Sequence, residues 1–573
     1  MANAEGMKTQ PISAGPWIPT VVSGLVFGLL TLSVYSQSGL LAPGITSDEP
    51  FNARQGLYLT ESLRDFGLGL LSPESWFEVF NSELHLPDHP PLGRLAIGIA
   101  HAAFPTPSGD TLTIPLDPDA SPPRLLSYTS ARMASVTWFA MTVLIATRWL
   151  KLRLPGWVAF AFGLSMLAMP RLIGHAQLAS LETCVGFWFS WTVLVLAGSS
   201  HSDLPTRRMA VKAGILLGFA LLSKIQGVLL LPPVCLWMMW RWRFRGILSA
   251  MMVVGTAGLV FIAGWPWLWQ DSLEKLIAYF ARTTDRIPLQ VWYANQQWTD
   301  TEVPWHFPWT MLALTVPTGI TALSLIGCWT GIKLPSRSSE DRSDFCWAVR
   351  LIVMVVGTVL LTFTCPGIAV YDADRLFLVV QPLLTVLAGI GMFQLLAVPS
   401  RKLRLPSLIC GLLLLSSASW EGWLGWQQQP CLLSAYNQLA GGIRGAEAAG
   451  MELDYWGQSF TDDFLGKVAK TLPESSTVDV VPVAHPILIE ELELRFRRNF
   501  GRNISVRPLD HGNWSDVRHI LSFRRQADLP WFLRNRDLPG GLEALVDYRQ
   551  SSVRLAVLLR VSPDRISPDH PPR

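Results

Sequence analysis

Eleven runs of largely apolar residues restrict the fold of this chain more than any other feature. They lie near 17–38, 131–147, 156–173, 183–199, 211–223, 225–240, 246–264, 309–331, 348–364, 376–397 and 405–420. A helix needs ~20 such residues to cross a bilayer, and fewer where it lines a protein interior. The runs therefore predict an α-helical polytopic membrane protein with about 11 transmembrane helices. The stretch 211–240 reads either as two short helices or as one long one. The first run has almost no basic residue before it except Lys8, and no clean cleavage pattern after it. It reads as a retained span and not a signal peptide.

Composition divides the chain in two. Charged residues make up 16% of the 573 residues, below the roughly 25% of soluble domains. From Glu421 onward there are 37 charged residues in 153, against 52 in the first 420. The expected organisation is a short cytoplasmic tail (1–16), a membrane domain (17–420) with outer loops at 39–130 and 265–308, and a small extracytoplasmic α/β domain (421–573). Within the last, 477–483 and 553–561 read as strands, and 460–472 and 486–496 as helices. A net charge of +3 with no basic tract argues against a nucleic-acid partner. The seven cysteines lack CxxC or zinc-finger spacing.

Orientation follows the basic connections at Arg148/Lys151/Arg153, Arg207/Arg208/Lys212, Arg241/Arg243/Arg245, 333–350 and Arg401/Lys402/Arg404. All fall on one side if the amino terminus is cytoplasmic, which places the tail outside. Of the 24 acidic residues before Glu421, 19 then fall on the outer side. Reading 211–240 as two helices keeps this pattern; one long helix breaks it. Trp is frequent, 25 against 9 Tyr, and many sit at run ends as interfacial anchors.

The first outer loop opens Thr46-Ser47-Asp48-Glu49-Pro50. Adjacent carboxylates at a membrane surface suit acid–base work, since desolvation raises a carboxylate's proton affinity. Alternatively the pair simply marks a helix start, where acidic residues suit the dipole. Asp88-His89-Pro90-Pro91-Leu92 follows, with prolines placed to open a helix; a metal role for His85 or His89 has no ligand spacing behind it. Arg132, Arg171, His175, Lys224 and Arg375 sit near predicted outer helix ends. Cations at membrane depth need partners. A membrane-anchored phosphate is one, because Arg forks and Lys point charges both stabilise phosphate oxygens. Local carboxylates such as Glu182, Asp372 or Asp374, or snorkelling to the interface, are the alternatives.

Across residues 17–460 these motifs, in this order, resemble the GT-C type membrane glycosyltransferases, especially the protein O-mannosyltransferases and bacterial aminoarabinose transferases. Asp48-Glu49 resembles the acidic motif of the family's first outer loop, and His89-Pro90-Pro91-Leu92 its Pro-Pro-Leu element. Arg132 is similar to the Arg opening its second span. Further similar segments are Pro170–Ala176, Gly218–Lys224, Pro304–Pro308, Tyr371–Phe377 and Tyr436–Gly457. The resemblance implies a polyprenyl-phosphate sugar as donor and a hydroxyl on a protein, lipid or glycan as acceptor. It implies Asp48 as general base in a single inverting displacement, with Glu49 orienting the acceptor or holding a divalent cation, the one candidate cofactor. Arg132, Lys224 and Arg375, with Arg171 and His175, would bind the donor phosphate; His89, Trp305, His306 and Tyr371 would line the site. The aminoarabinose transferases carry Lys where this chain has His89, so the resemblance does not extend to the identity of the sugar, and the Pro-rich stretch 109–123 and the tail from about 460 match no family element. A bacterial plasma membrane and an endoplasmic-reticulum membrane are the two candidate locations, and the few cysteines and the resemblance of Tyr436–Gly457 to bacterial members favour the former.

Two other classes compete. A transporter or flippase of lipid-linked saccharides would show matched halves and mid-bilayer ionisable groups, and neither is evident in the sequence. A membrane-anchored interaction protein would leave Asp48 incidental.

Overall fold

The computed structural model describes residues 16–36, 43–107, 111–114, 124–198, 206–282, 285, 287–332, 340–398, 400–482, 485–509, 516–534 and 537–562. The predicted runs are helical over most of their lengths. Among the described residues, five helices are long and apolar enough to cross a membrane, or up to seven if each of two bent pairs forms one span. By that measure the expected count of eleven is not reached, because several runs are short or broken. Ile18–Val34 and Glu182–Ala197 have 17 and 16 residues. The run 156–173 ends at Ala168, and Pro170 opens a new helix turned by 76°. The run 309–331 bends by 119° between Phe307–Thr315 and Thr318–Trp329, where Pro317 removes a backbone donor. The last run continues to Trp426, so the 420/421 boundary falls inside a helix.

Burial sorts the helices. In the apolar stretch of Arg375–Leu396, 94% of residues are buried, against 11% in Lys402–Trp426. The exposed face of the latter carries Leu405, Ile409, Leu412, Leu413 and Trp423, and hydrocarbon is the solvent that suits it. This is a polytopic membrane protein with one helix at its centre.

The stretch 211–240 resolves as two elements. Helix Arg207–Ser223 ends at Lys224, which is extended (φ −167°); a 3-10 turn Ile225–Leu230 and helix Leu231–Trp242 follow. Gly214 packs on Thr256, Gly218 on Val260, and Leu222 on Gly264. Helices Arg207–Ser223 and Phe244–Ala263 therefore run parallel, and the chain between them must return. The three arginines at 241, 243 and 245 thus lie at the same end as Arg207, and Lys224 at the other.

In the first loop, helix Glu49–Phe66 packs against helix Pro91–Ala103 at Gly56 and Gly98. A Cβ on Gly98 would lie 2.0 Å from the Gly56 carbonyl oxygen, so only glycine allows these backbones to touch. Most of the Pro-rich stretch (108–110 and 115–123) lies outside the described residues.

The tail forms a five-stranded sheet. In sheet order its strands are Ser505–Pro508, Thr477–Val481, His519–Phe523, Val553–Val561 and Leu542–Gln550. The first three pair in parallel and the last two add antiparallel. Helices Asp462–Thr471 and Pro486–Asn499 cover the sheet, close to their predicted positions, burying Phe464, Val468, Phe496 and Leu521. At its inner end, Leu453, Tyr455, Trp456 and Leu555 join the core of the membrane domain.

Candidate functional site

Asp48 occupies the N-cap of helix Glu49–Phe66, yet its side chain caps no backbone donor. Its Oδ2 instead meets Arg375 Nη2 at 2.5 Å, and the side chain remains 36% exposed. The dipole explains why an acidic residue suits this position, but the carboxylate is turned to a cation from across the molecule.

Arg375 distributes its whole fork. Nε contacts Glu182 Oε1 at 2.6 Å and Nη1 contacts Asp372 Oδ2 at 2.8 Å, and the guanidinium lies 4.2 Å over the Trp456 ring. Glu182 Oε1 also accepts from Lys224 Nζ at 2.6 Å. Lys224, Glu182, Asp372 and Arg375 are all buried. Lys224 reaches this point because helix Arg207–Ser223 stops there. Asp372 reaches it through a turn in which Asp372 and Ala373 both have positive φ, +55° and +56°, a conformation that costs a non-glycine residue roughly 1–2 kcal/mol and clusters at functional sites.

The structure does not leave every expected residue open. Glu49 is buried, and Arg132 Nε and Nη2 grip its oxygens at 2.7 and 2.8 Å. It also accepts from the Ala179 and Thr46 amides at 2.8 and 3.0 Å. Burial pushes this carboxyl up, but Arg132 and the hydrogen bonds more than offset it and hold it below the usual carboxylate range. Arg132 donates onward to the Pro43 and Gly44 carbonyls. The two residues therefore satisfy each other. The expected acceptor or cation partner of Glu49 and phosphate partner of Arg132 are thus replaced in this structure by the pairing of the two with each other. Among the described residues, no three His, Cys, Asp or Glu side chains gather to hold a metal ion.

Arg171 pairs with Asp374 at 2.9 Å and donates to the Ala435 carbonyl, forming a separate buried pair. His175 Nε2 is 3.1 Å from the Tyr455 hydroxyl, and its ring meets Trp456 edge-on. Neither joins the ion pairs of Arg375; His175 reaches it only through the Trp456 ring. His89 is half-buried, 4.0 Å from Asp88. Burial and the fields of Arg94, Lys224 and Arg375 outweigh Asp88 and push its imidazole down to about 3, so it is neutral near pH 7. Tyr371 precedes Asp372 and is half-buried. Trp305 and His306 are exposed; His306 bonds the Tyr293 hydroxyl at 2.8 Å, and both stand outside the ion-pair cluster. All three carboxylates named above as alternative partners are used: Glu182 by Lys224, Asp372 by Arg375 and Asp374 by Arg171.

Trp456 is a site residue beyond those that the motifs point to. Its Nε1 donates to Asp372 at 3.1 Å while its ring stacks on Arg375, and its carbonyl accepts from the Ser47 amide at 3.1 Å. The sequence signal for it is the aromatic pair Tyr455-Trp456 within the Tyr436–Gly457 segment. An apolar cleft lined by Ile45, Ser47, Trp456, Phe460, Leu488 and Phe523 begins one residue from Asp48.

Fold and site together define a polytopic membrane protein that presents a partly exposed carboxylate on a buried cluster of ion pairs. No protein-family model and no curated protein matches the chain. Among solved structures it is similar to ArnT from Cupriavidus metallidurans in the apo state, at 12% identity and TM-score 0.47, over 94% of this chain and 97% of that one. It is also similar to the archaeal oligosaccharyltransferase AglB from Archaeoglobus fulgidus, at 12% identity and TM-score 0.45, over 88% and 69%. The S. cerevisiae Pmt1-Pmt2 O-mannosyltransferase complex is similar over 48% of this chain and 38% of that one, at 16% identity and TM-score 0.29. These are GT-C type glycosyltransferases, the group that the sequence motifs resemble.

Proposed function

We propose that the protein transfers a sugar from a polyprenyl-phosphate donor to an acceptor hydroxyl at the extracytoplasmic face of a bacterial plasma membrane, its amino terminus cytoplasmic and its tail outside. The observation that carries this reading is Asp48, a third exposed, held by Arg375 at the edge of the buried Lys224–Glu182–Arg375 cluster. Asp48 takes the proton of the acceptor hydroxyl as its oxygen bonds to the anomeric carbon. The bond from that carbon to the phosphate oxygen breaks with inversion, and the electron pair leaves on the lipid phosphate. Lys224 and Arg375 stabilise that charge, which counts for most in a site from which water is excluded. Glu49 and Arg132 hold the loop in place, and the cleft beginning at Ser47 admits the acceptor.

The test is sugar transfer from labelled polyprenyl-phosphate sugars in proteoliposomes, comparing wild type with Asp48→Asn. The substitution keeps size and polarity and removes the base, so turnover of the accepted donor should fall by roughly 10²–10⁴-fold with binding retained. Equal turnover by the two proteins would overturn the assignment of the base. Lipid-linked sugar crossing the bilayer without being consumed would favour transport instead.

A further inference from the structure

The tail reaches the cluster with a residue of its own. Arg525 follows strand His519–Phe523 by two positions, and its side chain is 14% exposed. Nη1 donates to the Tyr455 carbonyl at 2.6 Å and lies 3.3 Å from Asp372 Oδ1. Nε lies 2.5 Å from Asp528. The other oxygen of Asp372 receives Arg375 and Trp456. One buried carboxylate is therefore divided between a cation of the tail and the cation that holds Asp48.

Docking the tail does not by itself require Arg525. Arg54 pairs with Glu490 and Glu491 at 3.0 and 2.9 Å. Gln297 donates to the Ala527 carbonyl at 2.9 Å. Gly44 and Ser47 bond the Gln458 and Trp456 carbonyls, with Gly44 so close that a Cβ would lie 2.4 Å from the Phe460 oxygen. Of these residues only Trp456 touches Arg375, through its indole ring. Trp456 donates to one oxygen of Asp372, and Arg525 brings the tail's positive charge to the other; Asp372 lies in a turn of two consecutive positive-φ residues, which depends on its surroundings to keep its shape.

We propose that Arg525 is a positioning residue for the transfer proposed above, an inference that rests on that reading. By holding Asp372 it fixes the plane of Arg375, so that one edge meets Glu182 and the other Asp48. The docked tail then completes the active site, and transfer requires it. A guanidinium suits the task because its planar fork meets a carbonyl and two carboxylates at once, which the single ammonium of lysine does less well.

The experiment uses the full-length protein in proteoliposomes and the donor that wild type consumes. Arg525→Gln keeps a donor for the Tyr455 carbonyl and loses the charge on Asp372. Its kcat should fall by ~10- to 100-fold, the scale of a misplaced catalytic group, with the thermal midpoint within a few degrees of wild type. Arg525→Lys should recover part of the loss. Asp372→Asn should show a similar defect, and the double variant should be no worse than Asp372→Asn alone, because both act through one contact. Arg549→Gln, an exposed tail arginine paired with Asp547, should leave kcat unchanged. Wild-type kcat in Arg525→Gln, or multiplying defects in the double variant, would overturn the inference. If Asp48→Asn turns over donor like wild type, the transfer reading fails whatever Arg525 does; if Asp48→Asn is inactive while Arg525→Gln is normal, only the positioning role fails.

Discussion

Glu182→Gln tests the ion-pair cluster most directly. Lys224 Nζ and Arg375 Nε each lie 2.6 Å from the same Glu182 oxygen, so the two cations are at most 5.2 Å apart. With the carboxylate neutralised they face each other in a buried site. At an effective dielectric near 20, two unit charges at that distance repel by about 3 kcal/mol, in line with the roughly 3–5 kcal/mol cost of breaking a buried pair. The variant should therefore unfold at lower temperature, which the 25 tryptophans report through their fluorescence. A lipid phosphate bound between the cations would relieve the repulsion. Added undecaprenyl phosphate should raise the variant's midpoint by more than wild type's, and its apparent affinity should rise by up to ~100-fold, since each 1.4 kcal/mol is tenfold. An unchanged midpoint without lipid would refute the coupling of the two cations through Glu182. A variant that binds the lipid phosphate more weakly than wild type would refute the placing of the phosphate beside them.

Two further outcomes follow from the same geometry. Glu49→Gln leaves the buried Arg132 guanidinium without its carboxylate and should cost about 3–5 kcal/mol; the loss should appear in thermal unfolding, while the donor KM of the folded protein stays as in wild type. Glu452 is buried under the tail, and burial, opposed by Arg525 and the Ala527 and Gln526 amides, pushes its carboxyl up to about 7. Between pH 4.5 and 7 the folded chain holds a proton that the unfolded chain releases, so this group's contribution is full below pH 4.5 and lost as pH rises through 7. Melting curves at pH 5 and pH 8 should show wild type losing up to ~3 kcal/mol relative to Glu452→Gln, and parallel curves would refute it.

The apolar runs, the change in composition near Glu421 and the alternating strands of the tail are properties of short segments, set by local burial and periodicity. They made the helical membrane domain and the small α/β tail legible in the sequence, and they marked Asp48 as an acid–base candidate and the cations as residues needing partners. Segment reading was less sure of continuity: where Pro170 or Pro317 breaks a run, hydropathy alone cannot say whether the chain bends or goes on. The return of the chain between residues 224 and 244 was suggested by charge and became definite only through Gly214 on Thr256 and Gly218 on Val260.

Which partner each charge takes was beyond the sequence. Asp48 and Glu49 are neighbours, yet one meets Arg375, 327 residues away, and the other Arg132, 83 residues away. A buried ion pair depends on distances of a few ångströms and on what else fills the same space, and these arise only when helices from several parts of the chain pack together. The sequence by itself determined that this protein lives in a membrane, carries a folded tail and places acidic and basic residues near helix ends. The tertiary structure decided which carboxylate stays open, which cations gather beside it, and that Trp456 and Arg525 of the tail belong to the same cluster.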